Sequence, residues 1–386
     1  MDPFATVHPR YGGGSLADVL PSVLAVLGVP GAVDRLNLAA ELDGVRRIAV
    51  LLVDGLGQHQ VPIAAPYAPT LADLAAARPG LARQLTTGFP STTPTSLVTL
   101  GTGTAPGGHG ILGFRVNVPG TDRVLTHIEW RRDPDPRRWQ PVPTQFELAA
   151  AAGIGTVVVS RPEFEGSGLT IAANRGAAYA GAADLAKLAA GMLAALGRGD
   201  GPTLVYGYHP DIDRQGHLFG VDSDRWRTAI AEVDALLARL VDGLPPDAAL
   251  LVTADHGQLN VPADRRFDFD TDDRLRAGVR VLAGEPRVRY VHARRGAVQD
   301  VLATWRAVLG DAAWVVGRDE AIEAGWFGPV PEEHLARVGD VVAACHEAYA
   351  VVASTTDNPI EARLVAYHGS YTAAEMLVPL LVVRRR

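Results

Sequence analysis

Four polar clusters sit at or near the ends of apolar runs, and their residue types suit metal and phosphate chemistry. The first is Leu51-Leu52-Val53-Asp54-Gly55, which alone reads as an aspartate making a turn. The second is Phe89-Pro90-Ser91-Thr92-Thr93-Pro94-Thr95-Ser96, running into an apolar stretch. Pro94 suits the first helical position and makes Thr93 the N-cap. A threonine that only caps a helix is the plain account. The functional account uses the same geometry: a hydroxyl in the positive field of a helix start, beside N–H groups that suit a phosphate. The third cluster, Tyr208 to His217, sets Asp213 and His217 four residues apart, so one helical turn can aim both at one ion. Asp211 competes with Asp213 for that role, and His209 is a weaker candidate. The fourth is Val252-Thr253-Ala254-Asp255-His256-Gly257, where adjacent Asp and His can ligate together if the chain turns at Gly257. A late histidine, His368, precedes Gly369. Each piece has an ordinary structural explanation. Jointly, three aspartates, three histidines and a hydroxyl make two ligand sets of the size zinc takes.

These clusters need a scaffold that brings strand ends together. Arg47 to Val53, Gly155 to Ser160, Thr203 to Tyr208 and Ala249 to Ala254 read as buried strands. Phe146 to Ala152, Ala182 to Leu196 and Trp226 to Leu240 have helical spacing. The alternation predicts an α/β protein with a mostly parallel central sheet and helices on both faces, whose ligand crevice lies beyond the carboxyl ends of the strands. From Arg265 to about Glu347 the pattern changes to short, alternating or exposed strands between charged turns. We expect a core of residues 1–260 and 350–386, with 261–349 a smaller α+β insert or cap. Met376 to Val383 reads as a last core strand.

The 386 residues can bury a large core, and a net charge of −7 argues against a nucleic-acid polymer or an anionic membrane as main partner. The lone Cys345 excludes an internal disulfide and a thiolate zinc cluster, and its apolar neighbours mark it as core. No signal-like N-terminus and no membrane-length apolar run are present, so a cytoplasmic location is expected. Gly101 to Gly107 is glycine-rich but lacks a P-loop's Gly-Lys-Ser/Thr, and reads as a helix exit. Asp268 to Asp273 lacks the EF-hand glycine and glutamate and reads as a solvated acidic turn.

The order Val-Asp-Gly, Phe-Pro-Ser-x-Thr, Asp-x-x-Gly-His, Asp-His-Gly and a late His-Gly resembles the nucleotide pyrophosphatase/phosphodiesterase family of the alkaline phosphatase superfamily. Gly101-Thr102-Gly103, His109-Gly110-Ile111 and Glu375 to Leu380 add to it. The resemblance covers about residues 45–260 and 360–386. It implies a hydrolase of phosphodiesters or nucleotide pyrophosphates, with a small phosphorylated substrate such as a nucleotide and two divalent ions, zinc or else manganese. Thr93 would be the nucleophile, passing through a covalent phospho-threonine, with Thr92 the fallback. Asp54, Asp255, His256 and Thr93 would hold one ion, and Asp213, His217 and His368 the other. In the family's nucleotide hydrolases an asparagine donates to the phosphoryl oxygen. That position falls on Phe114 here, with Arg115 and Asn117 the nearby polar side chains. A phosphomonoesterase or a phosphonate hydrolase such as phosphonoacetate hydrolase is the alternative. A phosphosugar mutase would draw on Arg265, Arg266, Arg287 and Arg289.

Overall fold

The computed structural model describes residues 2–78 and 80–385. Seven strands form the central sheet. Across it the order is Ala82–Thr86, Leu377–Arg384, Ala248–Thr253, Arg47–Val53, Thr203–His209, Gly155–Ser160 and Ala178–Gly181. The last five of these are mutually parallel, and Leu377–Arg384 runs antiparallel to both its neighbours. All six residues of Ala248–Thr253 are buried, as are all but the first of Arg47–Val53. Strands covered on both faces read as continuous apolar runs, which is why the sequence exposes them. Helices pack on both faces, among them Gln145–Ala151, Leu185–Leu196 and Asp224–Gly243. The register aligns Val53 with His209 and Leu52 with Thr253, so the segments that follow all three strands leave the sheet at one edge.

The segment after residue 260 differs from the expectation in one respect. It builds a four-stranded antiparallel sheet in the order Val279–Glu285, Val288–Ala293, Val341–Cys345, Ala313–Gly317. Val288–Ala293 is not exposed; every residue of it is buried. One face carries the helix Val298–Leu309, and the other packs against the loops that lead to Thr93 and His368. On that second face Phe89 stacks on Tyr371 with centroids 4.0 Å apart, and Trp326 and Phe327 close around them.

Two of the arginines considered for a phosphosugar are consumed here. Arg287 is fully buried and pairs with fully buried Glu375 at 2.7 Å, and Glu375 also accepts from Ser370 N–H and the Thr372 hydroxyl. Arg289 pairs with Asp357 at 2.7 Å. At the surface Arg265 pairs with Glu347, and Arg266 donates to the Val261 carbonyl. Cys345 is core, and burial pushes its thiol up to about 11. The acidic turn is only partly solvated, because Asp268 and Asp270 accept from Ser354, Thr355 and Thr356.

Breaking a buried pair leaves an uncompensated charge. Arg287→Ala should therefore lower the unfolding free energy by about 3–5 kcal/mol. Urea denaturation checks this. An effect below about 1 kcal/mol would mean that Glu375 finds another partner.

Candidate metal centre

Thr93 opens the helix Thr93–Thr102 with Thr92 as N-cap, so the cap lies one residue earlier than the Pro94 argument placed it. The consequence is a division of labour between the adjacent threonines. Thr92 is fully buried, whereas the Thr93 side chain faces a cavity of about 580 Å³ and its Oγ1 lies 3.1 Å from His256 Nε2. Asp213 and His217 lie one turn apart on the helix Asp211–Phe219, and His217 Nε2 is 3.2 Å from an Asp213 oxygen. Asp211 faces away, pairing with Arg161 at 2.5 Å in a separate cavity that His209 also lines.

Gly55 lets these pieces meet. It sits at φ +74°, and a Cβ there would come within 2.9 Å of the Asp213 backbone. Asp54 N–H bonds the His209 carbonyl at 2.9 Å, and Asp213 N–H bonds the Asp54 carbonyl at 3.2 Å. Gly257 is held likewise, its Cα pressed toward the Ala374 carbonyl.

Two groups of ligand atoms result. Atoms of Asp213, His217 and His368 lie within 4.8 Å of one another, and so do atoms of Asp54, Asp213 and His256. Asp213 belongs to both. Asp255 stands beside the second group, its Oδ2 3.4 Å from His256 Nε2. His217 Nε2 and His368 Nε2 are 3.1 Å apart.

The hydrogen bonds around these groups fit a cation. His217 Nδ1 faces the Ala366 carbonyl at 2.7 Å, His368 Nδ1 the Ser91 carbonyl at 2.9 Å, and His256 Nδ1 the Gly257 carbonyl at 3.1 Å. A carbonyl only accepts, so each Nδ1 carries hydrogen. In the neutral ring, each Nε2 is then a lone pair turned toward the carboxylates. Asp54 Oδ1 and Asp255 Oδ2 are buried and have no hydrogen-bond partner. Buried polar atoms are seldom left so.

Electrostatics agree. Burial, then the charges of Asp255 and Asp213, raises the Asp54 pKa well above the usual carboxylate value. Burial also raises Asp255. Burial opposes ionisation of Asp213 too, but His217 beside it holds that carboxyl below its ordinary range. Burial alone would push His217 down, and Asp213 outweighs it. His368 is pushed well down by burial and by His256, whose ring stacks on it at 3.6 Å.

Three supporting residues carry no motif of their own. Tyr208 donates its hydroxyl to Asp54 Oδ2. Gln258 donates to Asp213 Oδ1 at 2.8 Å and to the Asp213 carbonyl at 3.1 Å. Glu285 rises from the second sheet beneath Thr92, and burial pushes its carboxyl up to about 8 against the pull of Thr92 and Arg115. Tyr208 and Gln258 each lie within a few residues of a candidate ligand, the one signal available in sequence.

The substrate-side candidates separate. Phe114 lines the cavity. Arg115 does not; its guanidinium is bound to Asp357 at 2.9 Å and Glu361 at 2.7 Å. Asn117 is buried, and its amide closes a hairpin turn on the carbonyls of Thr121 and Arg123. Among the described residues, none from 261–349 lines the cavity. Its walls come from the core and from the loop before His368.

A parallel-sheet edge carrying this cluster defines a hydrolase of alkaline-phosphatase-like architecture. The family model for type I phosphodiesterase / nucleotide pyrophosphatase matches residues 48–371. The chain belongs to that family of metal-dependent enzymes. Ectonucleotide pyrophosphatase/phosphodiesterase 2 of Saccharomyces cerevisiae (strain ATCC 204508 / S288c) is 38% identical over 72 residues, which is 17% of this chain and only 15% of that protein. Murine ectonucleotide pyrophosphatase/phosphodiesterase 5 superposes with a TM-score of 0.68 at 18% identity, covering 86% of this chain and 87% of its own. An inactive threonine-to-alanine variant of that protein has been solved with AMP. Phosphonoacetate hydrolase from Sinorhizobium meliloti 1021, solved with phosphonoacetate, superposes with a TM-score of 0.66 at 19% identity over 88% of this chain and 90% of its own. No helix of the described residues is long and apolar enough to cross a membrane.

Partners of ligands set orientation and basicity, and removing one typically costs 10–100-fold in metal affinity. Gln258→Ala should weaken divalent-metal binding by about that factor, read by competition with a chelating dye. Unchanged affinity would show that Asp213 needs no such support.

Proposed function

We propose that the chain hydrolyses phosphodiester or nucleotide pyrophosphate bonds through a covalent phospho-threonine on Thr93. The observation that supports this best is the Thr93 hydroxyl 3.1 Å from His256 Nε2, in a cluster where Asp54 and Asp255 each keep an unpaired buried oxygen. Asp54, Asp255, His256 and Thr93 would hold one divalent ion, and Asp213, His217 and His368 the other. Zinc is the first choice and manganese the second. Bound there, such ions supply the positive charge that lowers a hydroxyl's pKa and neutralises phosphoryl oxygens.

The chain's own residues then do the rest. Thr93 Oγ1 attacks phosphorus while the bond to the leaving oxygen breaks on the opposite side, leaving the phosphoryl group on Thr93. Water attacks the same phosphorus in the second half and restores the hydroxyl. The first helical turn offers backbone N–H groups to the phosphoryl oxygens. In this reading, residues 261–349 are an insert that braces the core of 1–260 and 350–386 from behind the nucleophile loop.

Metal content and turnover of bis-p-nitrophenyl phosphate test this directly. Wild type should hold two metal equivalents and lose turnover to a chelator, with recovery on adding zinc or manganese. Thr93→Ala should keep the metals and lose turnover by on the order of 10³-fold or more. A Thr93→Ala protein that turns over normally would remove Thr93 from the reaction.

A further inference from the structure

The cavity beside Thr93 has an unusual distribution of charge for a site that takes phosphorylated molecules. Its walls are apolar and aromatic: Leu97, Phe114, Val158, Phe164, Leu169 and Tyr179. At its mouth Ile128, Leu218 and Ile360 stand 51%, 40% and 62% exposed. Large side chains exposed together around one opening mark a place where an apolar partner comes.

Cations are scarce. Among the described residues, Arg214 is the one arginine or lysine in the lining, and it is exposed. The chain's single lysine, Lys187, pairs with Asp184 outside the cavity. Arg115 lies behind Phe114, its guanidinium carbon 5.7 Å from the ring centroid, but Asp357 and Glu361 already hold it. Beyond the metal cluster the lining adds three carboxylates, Glu129, Glu163 and Glu361. Arg115 offsets Glu361. Glu129 and Glu163 are exposed; Glu163 lies 4.0 Å from Arg161, which Asp211 also holds at 2.5 Å.

A nucleoside triphosphate brings several negative charges past the phosphorus that reacts, and phosphonoacetate brings a carboxylate. Tight recognition of either calls for guanidinium or ammonium groups around those charges. Outside the metal cluster the lining of this cavity offers one exposed arginine against two exposed carboxylates, one of which also faces Arg161. A phosphodiester carries a single charge, which the metal cluster itself can take.

We propose that the substrates are monoanionic phosphodiesters with an apolar, uncharged organic substituent, which lies along the Phe114–Phe164 wall and leaves over Ile128, Leu218 and Ile360. This rests on the phosphoesterase reading above and narrows it, setting aside polyphosphates and phosphonocarboxylates.

The test uses the metal-loaded enzyme and p-nitrophenyl methyl, butyl and octyl phosphates, which share one charge and one leaving group. ATP, phosphonoacetate and p-nitrophenyl phosphocholine run beside them. We expect kcat/KM to rise from methyl to octyl, by up to about fourfold per methylene the wall buries. We expect the octyl ester to exceed ATP and phosphonoacetate by about 10²-fold or more. Ile360→Asp should flatten the rise with chain length, and Glu163→Lys should raise ATP turnover. Indifference to chain length, or a preference for ATP, phosphonoacetate or the phosphocholine ester, would overturn the proposal while leaving the phosphoesterase reading intact. Failure to cleave any of these compounds would overturn both.

Discussion

Three carboxylates that share one buried pocket constrain everything around them. Asp54 and Asp255 are buried and Asp213 is largely covered, which removes most of the water that would solvate their charge, and oxygens of Asp54 and Asp213 come within 4.8 Å. Two like charges 4 Å apart repel by about 4 kcal/mol even at an effective dielectric of 20. The fold answers part of this. His217 faces Asp213, Tyr208 donates to Asp54, and the amides of Gly55 and His256 donate to Asp255. What remains is a set of unpaired oxygens and imidazole nitrogens whose backbone partners dictate that they accept. Such a site is complete only with positive charge inside it, which agrees with the metal dependence of the family.

Holding that arrangement is the work of segments far apart in the chain. Asp54 and Asp255 leave neighbouring parallel strands at the same edge, and Asp213 sits in the first turn of the helix beyond a third. His368 comes from the other end of the sequence. Its loop is tied to the nucleophile loop through Ser91, which donates its hydroxyl to the Ser370 carbonyl and accepts from Gly369 N–H. Behind both loops stands the second sheet. Tyr290 donates to the Leu112 carbonyl, Arg287 to Glu375, and the aromatic group around Phe89 and Tyr371 fills the space between. The second sheet thus bears on the site through the loops it packs against. The cavity itself is lined from loops near Ile128, Phe164 and Ile360, and among the described residues none from 261–349 reaches it.

Much of this was legible in sequence for a physical reason. Strands covered on both faces must be apolar throughout, so Arg47–Val53 and Ala248–Thr253 stand out, and the polar residues that end them are conspicuous. The motif order then places Asp54, Asp213, His217, Asp255, His256 and His368 near one sheet edge. Buried polar residues outside those motifs could not be read the same way. Arg287 and Arg289 resemble solvated or ligand-binding arginines until Glu375 and Asp357, 88 and 68 residues later, are folded against them. The cap of the Thr93 helix was misplaced by one residue because Pro is tolerated throughout the first turn, and Pro94 occupies its second position.

That offset bears on the chemistry. With Thr92 as the cap, Thr93 starts the helix and its hydroxyl reaches the cavity, while Thr92 turns inward over Glu285. In the proposed reaction the phosphoryl oxygens would meet the helix start on one side and Phe114 on the other, a ring that donates no hydrogen bond. In that reading the oxygens would be stabilised by backbone N–H groups and by the cations the carboxylates call for. A substrate with one negative charge asks least of such a site. The missing side-chain donor and the cation-poor walls are therefore two expressions of one constraint: charge is concentrated in the carboxylate–histidine cluster, and the rest of the cavity is left largely to apolar contact.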